Sequence, residues 1–267
     1  MNRKLIGALI SVTLLSGCQS LQNSFTNDEG NSSKEQQTSE KQEEKNGQAA
    51  DDVLTLPAQY FNQIVETGGK KVIQNSENTL VLVNKTYYLS DSYIPSDLVR
   101  ANVHYSFGDE QIEKALLRQE AATALEQMFN GAQAEGIELY AVSGYRSYAR
   151  QKVLFDAEVQ QHGLEKAEEA VAIPGQSEHQ TGLTMDISSR SVNLLLTQEY
   201  ENTPEGKWLA TNAHKYGFIL RYPKGKENIT GYKYEPWHFR YVGKEFAKTI
   251  YEKGLTLEEY FNVVKEI

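Results

Sequence analysis

Side chains of metal-binding type fall in two short segments of the chain. His179 and Asp186 stand in Ser177-Glu178-His179-Gln180-Thr181-Gly182-Leu183-Thr184-Met185-Asp186, and His238 closes Glu235-Pro236-Trp237-His238. Imidazole nitrogen combined with carboxylate oxygen is a donor set that suits zinc. Two ligands do not close a site. The later segment supplies what the first one lacks, a second imidazole and a spare carboxylate. Spacing alone leaves open whether Asp186 or Glu235 is the acidic ligand. The remaining histidines are His104, His162 and His214. His162 precedes Gly163 at a helix end and His214 falls in a helical pattern before Gly217, so both read as structural or solvent-facing. His104 lies in a segment without a clear pattern.

These side chains need elements that bring them together. Gly182 lets the backbone turn tightly after His179, and Leu183–Ile187 alternates like a strand that carries Asp186 back towards the histidine. Pro236 pushes Glu235 into an extended conformation, so Glu235 and His238 do not share a helix. His238 instead opens a strand that Phe239–Val242 continues. Residues three apart in a regular strand point to opposite faces, so a turn or bulge around Pro236 is required if both are to reach one site. Leu139–Ser143 reads as a strand that delivers Gly144-Tyr145-Arg146 to its end, and Ser147 caps a helix running to about Gln161. Arg146 is thereby placed at a strand-to-helix turn, where a guanidinium can reach into a cleft.

The rest of the chain supplies packing. Ile112, Leu116, Ala122, Leu125 and Phe129 recur at helical spacing, ending before Gly131 or Gly136. Pro57 opens a short predicted helix through Tyr60, Phe61 and Ile64, stopped by Gly68-Gly69. Leu80–Val83 and Tyr87–Leu89 are strand candidates, and Phe218–Leu220 is another. Thr203-Pro204 starts a helix with proline at its first position, ended by Gly217, with Trp208 and Leu209 facing the core. Two helices close the chain, the second with a Thr256–Glu259 capping box and a buried stripe of Leu257, Tyr260, Phe261 and Val264. Short strands with segregated helices indicate an α+β domain.

The pattern Ser177-x-His179-x-x-Gly182-x-x-x-Asp186 followed by Glu235-x-x-His238 resembles the signature of the VanY-type D-alanyl-D-alanine carboxypeptidases. Their relatives are the LdcB-type L,D-carboxypeptidases and the VanX dipeptidases, and the wider group includes the hedgehog amino-terminal domain. Ser143-Gly144-Tyr145-Arg146-Ser147 is similar to the family's arginine-bearing segment. The resemblance spans about Asn84 to the C-terminus, and Thr184 stands where the VanX-like pattern usually has alanine. It implies a small central antiparallel sheet carrying one zinc, flanked by helices. It implies His179, Asp186 and His238 as ligands, Glu235 as general base and Arg146 as oxyanion or carboxylate holder, with Gln151 and Ser177 as further substrate contacts. The implied substrate is the peptidoglycan stem peptide, losing its terminal D-alanine. The D,D reading stands narrowly ahead of the L,D reading, and a non-catalytic zinc-containing wall-binding module is the rival class.

Composition sets the surroundings of such a domain. Met1–Cys18 opens with Arg3 and Lys4, runs through an apolar stretch too short to span a membrane, and ends Leu15-Ser16-Gly17-Cys18. It reads as a lipoprotein export signal with Cys18 as the lipidated residue, which puts the protein outside the cytoplasm on the bacterial membrane. Cys18 is the only cysteine, so the exported domain has neither disulfide nor thiolate ligand. Residues 19–52 are polar with almost no apolar content, a flexible tether, and 53–267 form the domain, with a core over about 84–267. The net charge of −9 has no basic block, which argues against nucleic acid. A monomer is expected.

Overall fold

The computed structural model describes residues 54–267. The expected export signal, the lipidated Cys18 and the tether lie outside the described residues. Among the described residues no helix is long and apolar enough to cross a membrane.

The fold is α+β and is organised around one four-stranded sheet. Its strands are β1 (Tyr140–Ser143), β2 (Thr184–Ser188), β3 (Phe218–Leu220) and β4 (His238–Tyr241). They lie in the order β1-β2-β4-β3, and every neighbouring pair is antiparallel. Asp186 pairs with His238 on one side and with Ser143 on the other, and Thr184 pairs with Arg240. Directly paired residues of an antiparallel sheet share a face, and side chains alternate between faces along a strand. Ser143, Thr184, Asp186, His238 and Arg240 therefore make one face of the sheet polar. Met185, Ile187, Phe239 and Tyr241 make the other face apolar.

The apolar face packs on α1 (Gln119–Ala134), through Ala121, Leu125, Met128 and Phe129. Five further helices of seven or more residues are α2 (Tyr148–His162), α3 (Leu164–Ala170), α4 (Pro204–Asn212), α5 (Lys244–Lys253) and α6 (Leu257–Val263). Trp208 and Leu209 of α4 join the same core, and Phe218 completes it. A second cluster joins Ile219 and Val242 to Ala247 and Ile250 of α5, Leu257 and Tyr260 of α6, and Leu56 near the start of the domain. The caps follow the sequence. Ser147 Oγ accepts from Arg150 N, Thr203 caps α4 ahead of Pro204, and Thr256 and Glu259 form the reciprocal capping box of α6.

Three expectations need correction. The segment after Pro57 is one turn of 3-10 helix, Ala58–Tyr60. Gly68-Gly69 then joins a hairpin of Ile64–Thr67 with Lys70–Ile73, where the β-branched Val65 and Val72 pair. Leu80–Val83 is buried but is no strand, because the Asn62 amide donates to Leu82 O and accepts from Leu82 N in place of a partner strand. The core helix begins at Gln119 rather than near Ile112, since Leu116–Arg118 is drawn into pairing with Leu98–Arg100. The helix α3 carried no expectation.

Gly182 sits in the left-handed region at φ 65°, between the one-turn helix Glu178–Thr181 and β2. A Cβ there would lie 2.9 Å from Leu98 Cδ2 and 3.1 Å from Arg118 Cγ. Gly182→Ala combines backbone strain with this crowding. It should lower unfolding free energy by about 1–3 kcal/mol in a denaturant titration, and an unchanged midpoint would contradict the assigned turn.

Candidate metal centre and active site

The register of β2 and β4 places the imidazole of His238 beside the carboxylate of Asp186, with Nδ1 3.1 Å from Oδ1. His179 reaches the same carboxylate from the one-turn helix before Gly182, its Nε2 3.4 Å from Asp186 Oδ2. All three are buried, and one donor atom from each falls within 4.8 Å of the others. Ligand atoms around a tetrahedral zinc stand about 3.3–3.5 Å apart, given bonds of about 2.0–2.1 Å. The two measured separations are close to that. Asp186 Oδ1 is buried without a hydrogen-bond donor of good geometry, although His238 Nδ1 stands near it. An orphaned carboxylate oxygen between two imidazoles fits a cation.

The two rings are held from behind. Nδ1 of His179 lies 2.8 Å from the carbonyl of Gly144, which can only accept, so this nitrogen carries the proton and Nε2 is free. Gly144 approaches closely because it lacks a side chain: a Cβ there would meet Leu116 O at 2.5 Å. His238 turns Nε2 away from Asp186, towards Glu178 Oε2 at 3.5 Å. Burial is the largest influence on both rings. It pushes His179 down to about 3, against the nearby Asp186 carboxylate, which keeps the ring neutral and able to donate its lone pair. At His238 burial is outweighed by Asp186 and Glu178, and the ring is pushed up to about 9.

Glu235 reaches the centre by the turn that its position requires. His238 N donates to Glu235 O at 3.1 Å, closing a tight turn with Pro236 at its second position. Glu235 Oε2 then lies 3.5 Å from His238 Nδ1, the nitrogen that faces Asp186. Burial first, and then the Asp186 charge, push the Glu235 carboxyl up to about 7, against the pull of His238. It is a carboxyl poised to exchange a proton near neutral pH.

Arg146 follows β1. Its Nη1 donates to Gln151 Oε1 at 3.0 Å and its Nη2 to Ser143 Oγ at 3.3 Å, and its backbone N donates to His179 O. No carboxylate of the described residues forms an ion pair with it. Burial pulls its pKa below the ordinary arginine value, with Asp186 and Glu235 pulling the other way from a distance. A cation that is largely withdrawn from water and lacks an anionic partner is a place for an anionic ligand.

A cleft of about 450 Å³ joins these groups. Arg146, Ser177, His179, Asp186, Glu235 and His238 line it, with Tyr222, Tyr232 and Trp237 on one side and Leu154, Ala157 and Glu158 of α2 on another. Gln151 does not line it. That side chain is buried, and its amide is spent on Arg146 and on Ala172 O, so it acts on a ligand only through Arg146. His104 pairs with Glu138 at the surface, His162 ends α2, and His214 stacks on Tyr251, all outside the cleft.

The VanY family pattern, D-alanyl-D-alanine carboxypeptidase, matches residues 114–244. The chain is also 52% identical over 265 residues to the putative carboxypeptidase YodJ of Bacillus subtilis, covering 98% of this chain and 97% of that protein. The chain belongs to the VanY family. Among solved VanY-family structures, the LdcB L,D-carboxypeptidase aligns at TM-score 0.79 with 59% identity, over 80% of this chain and all of that one. The vancomycin-resistance D,D-pentapeptidase VanY, solved with Zn(II), aligns at TM-score 0.56 with 34% identity, over 69% of this chain and 99% of that one. The chain is accordingly a carboxypeptidase of the VanY and LdcB kind that acts on peptidoglycan.

Sequence reasoning passed over Glu178, Arg221 and Arg240, which are buried behind the metal centre. For the two arginines the signal was present. Arg221 and Arg240 each interrupt an apolar run, Phe218-Ile219-Leu220 and Phe239-x-Tyr241-Val242, where a charge needs a buried partner.

The full chain purified with zinc should carry one ion, and the chain with both His179→Ala and His238→Ala should carry none by metal analysis. Stoichiometric zinc in the double variant would place the metal elsewhere.

Proposed function

We propose that the chain is a zinc-dependent carboxypeptidase that releases the terminal D-alanine of peptidoglycan stem peptides, with His179 Nε2, Asp186 and His238 Nδ1 as the ligands. The observation that carries this reading is that an ion-pair-free arginine, an elevated carboxyl and the metal-facing triad share one cleft. Zinc held there would supply a Lewis acid beside the scissile carbonyl and make an adjacent water more acidic. Glu235 takes the proton of the attacking water and gives it to the leaving amine. Arg146, steadied by Gln151 and Ser143, holds the free carboxylate of the terminal residue or the developing oxyanion. Ser177 offers a polar contact on the cleft wall. All of these groups lie within one chain, so the proposed site is complete without a second copy.

The likeness to the LdcB enzyme favours the L,D reading, in which tetrapeptide stems lose D-alanine from an L-configured centre. The D,D reading, narrowly ahead on the motifs, keeps the support of the D-alanyl-D-alanine carboxypeptidase family pattern, so both stand for test. Incubation with tetrapeptide and pentapeptide stems, followed by mass analysis, separates them. Loss of one alanine from the tetrapeptide is expected, with slow turnover of its C-terminal amide. Cleavage confined to the pentapeptide would assign D,D specificity, and equal rates on the amide would leave Arg146 to the oxyanion alone.

Glu235→Ala should separate binding from chemistry. Three metal ligands remain, so zinc should stay bound, while turnover falls about a hundred- to ten-thousandfold. Loss of the metal would make Glu235 a ligand, and unchanged turnover would move the base elsewhere.

We further propose that Cys18 is lipidated and that residues 19–52 tether the domain to the outer face of the membrane. The support is the Leu15-Ser16-Gly17-Cys18 box and the polar composition that follows it. Cys18→Ala should shift the protein from the detergent phase to the aqueous phase on cell fractionation; an unchanged distribution would contradict the anchor.

A further inference from the structure

Glu178 lies between Ser177 and the ligand His179, and its side chain is wholly buried. Oε1 accepts from Arg221 Nε and from Arg240 Nη1, both at 2.7 Å. Arg221 spends its other two nitrogens on Glu258, at 2.8 and 2.7 Å. Arg240 spends the rest of its guanidinium on the carbonyls of Thr79, Val81 and Tyr241. Two carboxylates and two guanidiniums balance, so the cluster needs no charge from His238.

The second oxygen of Glu178 is free of the arginines. Oε2 faces His238 Nε2 and Thr184 Oγ1, each at 3.5 Å. A carboxylate is an acceptor only, and of the two ring nitrogens that face one, Nε2 has hydrogen-bond geometry towards Glu178 Oε2 while Nδ1, 3.1 Å from Asp186 Oδ1, does not, so the N–H belongs on Nε2. A neutral imidazole has one such proton. With it on Nε2, the lone pair stays on Nδ1, which is the nitrogen beside Asp186 Oδ1. His179 is fixed by the same logic in the other orientation, through Gly144 O.

We infer that Glu178 is a positioning residue: through Oε2 it selects the Nε2–H form of His238 and aims Nδ1 at the metal, while the two arginines pin its carboxylate in place. The inference rests on the metal assignment above. It separates Glu178 from Glu258, which belongs to the same buried cluster and touches neither imidazole.

The comparison of Glu178→Gln with Glu258→Gln in the full chain tests it. Both substitutions remove one charge from the cluster, and both should lower the melting temperature. In Glu178→Gln the amide oxygen stays on the arginines and the NH2 faces His238 Nε2, which favours the wrong tautomer. Zinc affinity by chelator competition should then fall about 10–100-fold for Glu178→Gln and stay within about twofold for Glu258→Gln. Wild-type affinity in Glu178→Gln, or equal losses in both variants, would overturn the inference. Nitrogen-15 histidine spectra of the metal-free wild-type chain, at a pH where His238 is neutral, test the tautomer selection even if Glu178→Gln does not fold. A proton on His238 Nε2 is expected, and a proton on Nδ1 would overturn it. A wild-type chain that takes up no zinc would instead remove the metal assignment itself, and this inference with it.

Discussion

The pairing of β2 with β4 is the constraint on which the site depends. Asp186 stands opposite His238, and because side chains alternate strictly along a strand, a slip of one residue would turn both into the apolar core. The apolar face guards against that slip. Met185, Ile187, Phe239 and Tyr241 are all buried in the main core, and none could be exchanged for its polar neighbour without burying a charge among hydrocarbon. Hydrophobic packing on one face therefore sets the geometry of the chemistry on the other. The third candidate ligand arrives separately. His179 is brought in by the Glu178–Thr181 turn and locked by Gly144 O, so β1 and β2 together support it.

A polar face buried within a domain costs stability unless each group is paired. Here the pairing runs from the metal centre to the C-terminal helix: His238 to Glu178, Glu178 to Arg221 and Arg240, Arg221 to Glu258 of α6. Breaking such a buried pair on one side typically costs about 3–5 kcal/mol, which ties α6 to a site that it does not touch. The cleft side of the centre is different. Arg146 has no carboxylate partner there and Glu235 is pushed towards neutrality, so the charges left unbalanced are the ones that face a ligand.

Much of this was legible in the residues. Thr203-Pro204, Thr256–Glu259 and Ser147 mark helix starts by local chemistry, and the structure keeps all three. The need for a turn or bulge at Pro236 followed from strand alternation alone, and the Glu235–His238 hydrogen bond shows it to be a turn. Tertiary competition was not legible. Leu116–Arg118 fits the helical spacing, yet Leu98–Arg100 claims it as a strand, and Asn62 satisfies Leu82 from twenty residues away. Gln151 could be placed near Arg146 from its helix, but not its buried bond to Ala172 O, which turns it away from the cleft. Glu178 was hidden for another reason: beside a histidine ligand in a polar loop, nothing local distinguishes it from a solvated acid.

In the proposed site one zinc is held by His179, Asp186 and His238, next to Glu235 and Arg146. Anomalous diffraction at the zinc edge from crystals of the zinc-loaded chain tests it most directly. A single peak is expected about 2.0–2.2 Å from His179 Nε2, His238 Nδ1 and an Asp186 carboxylate oxygen, with Glu235 outside bonding distance. A peak bonded to Glu235 in place of Asp186, or to His238 Nε2, would contradict it.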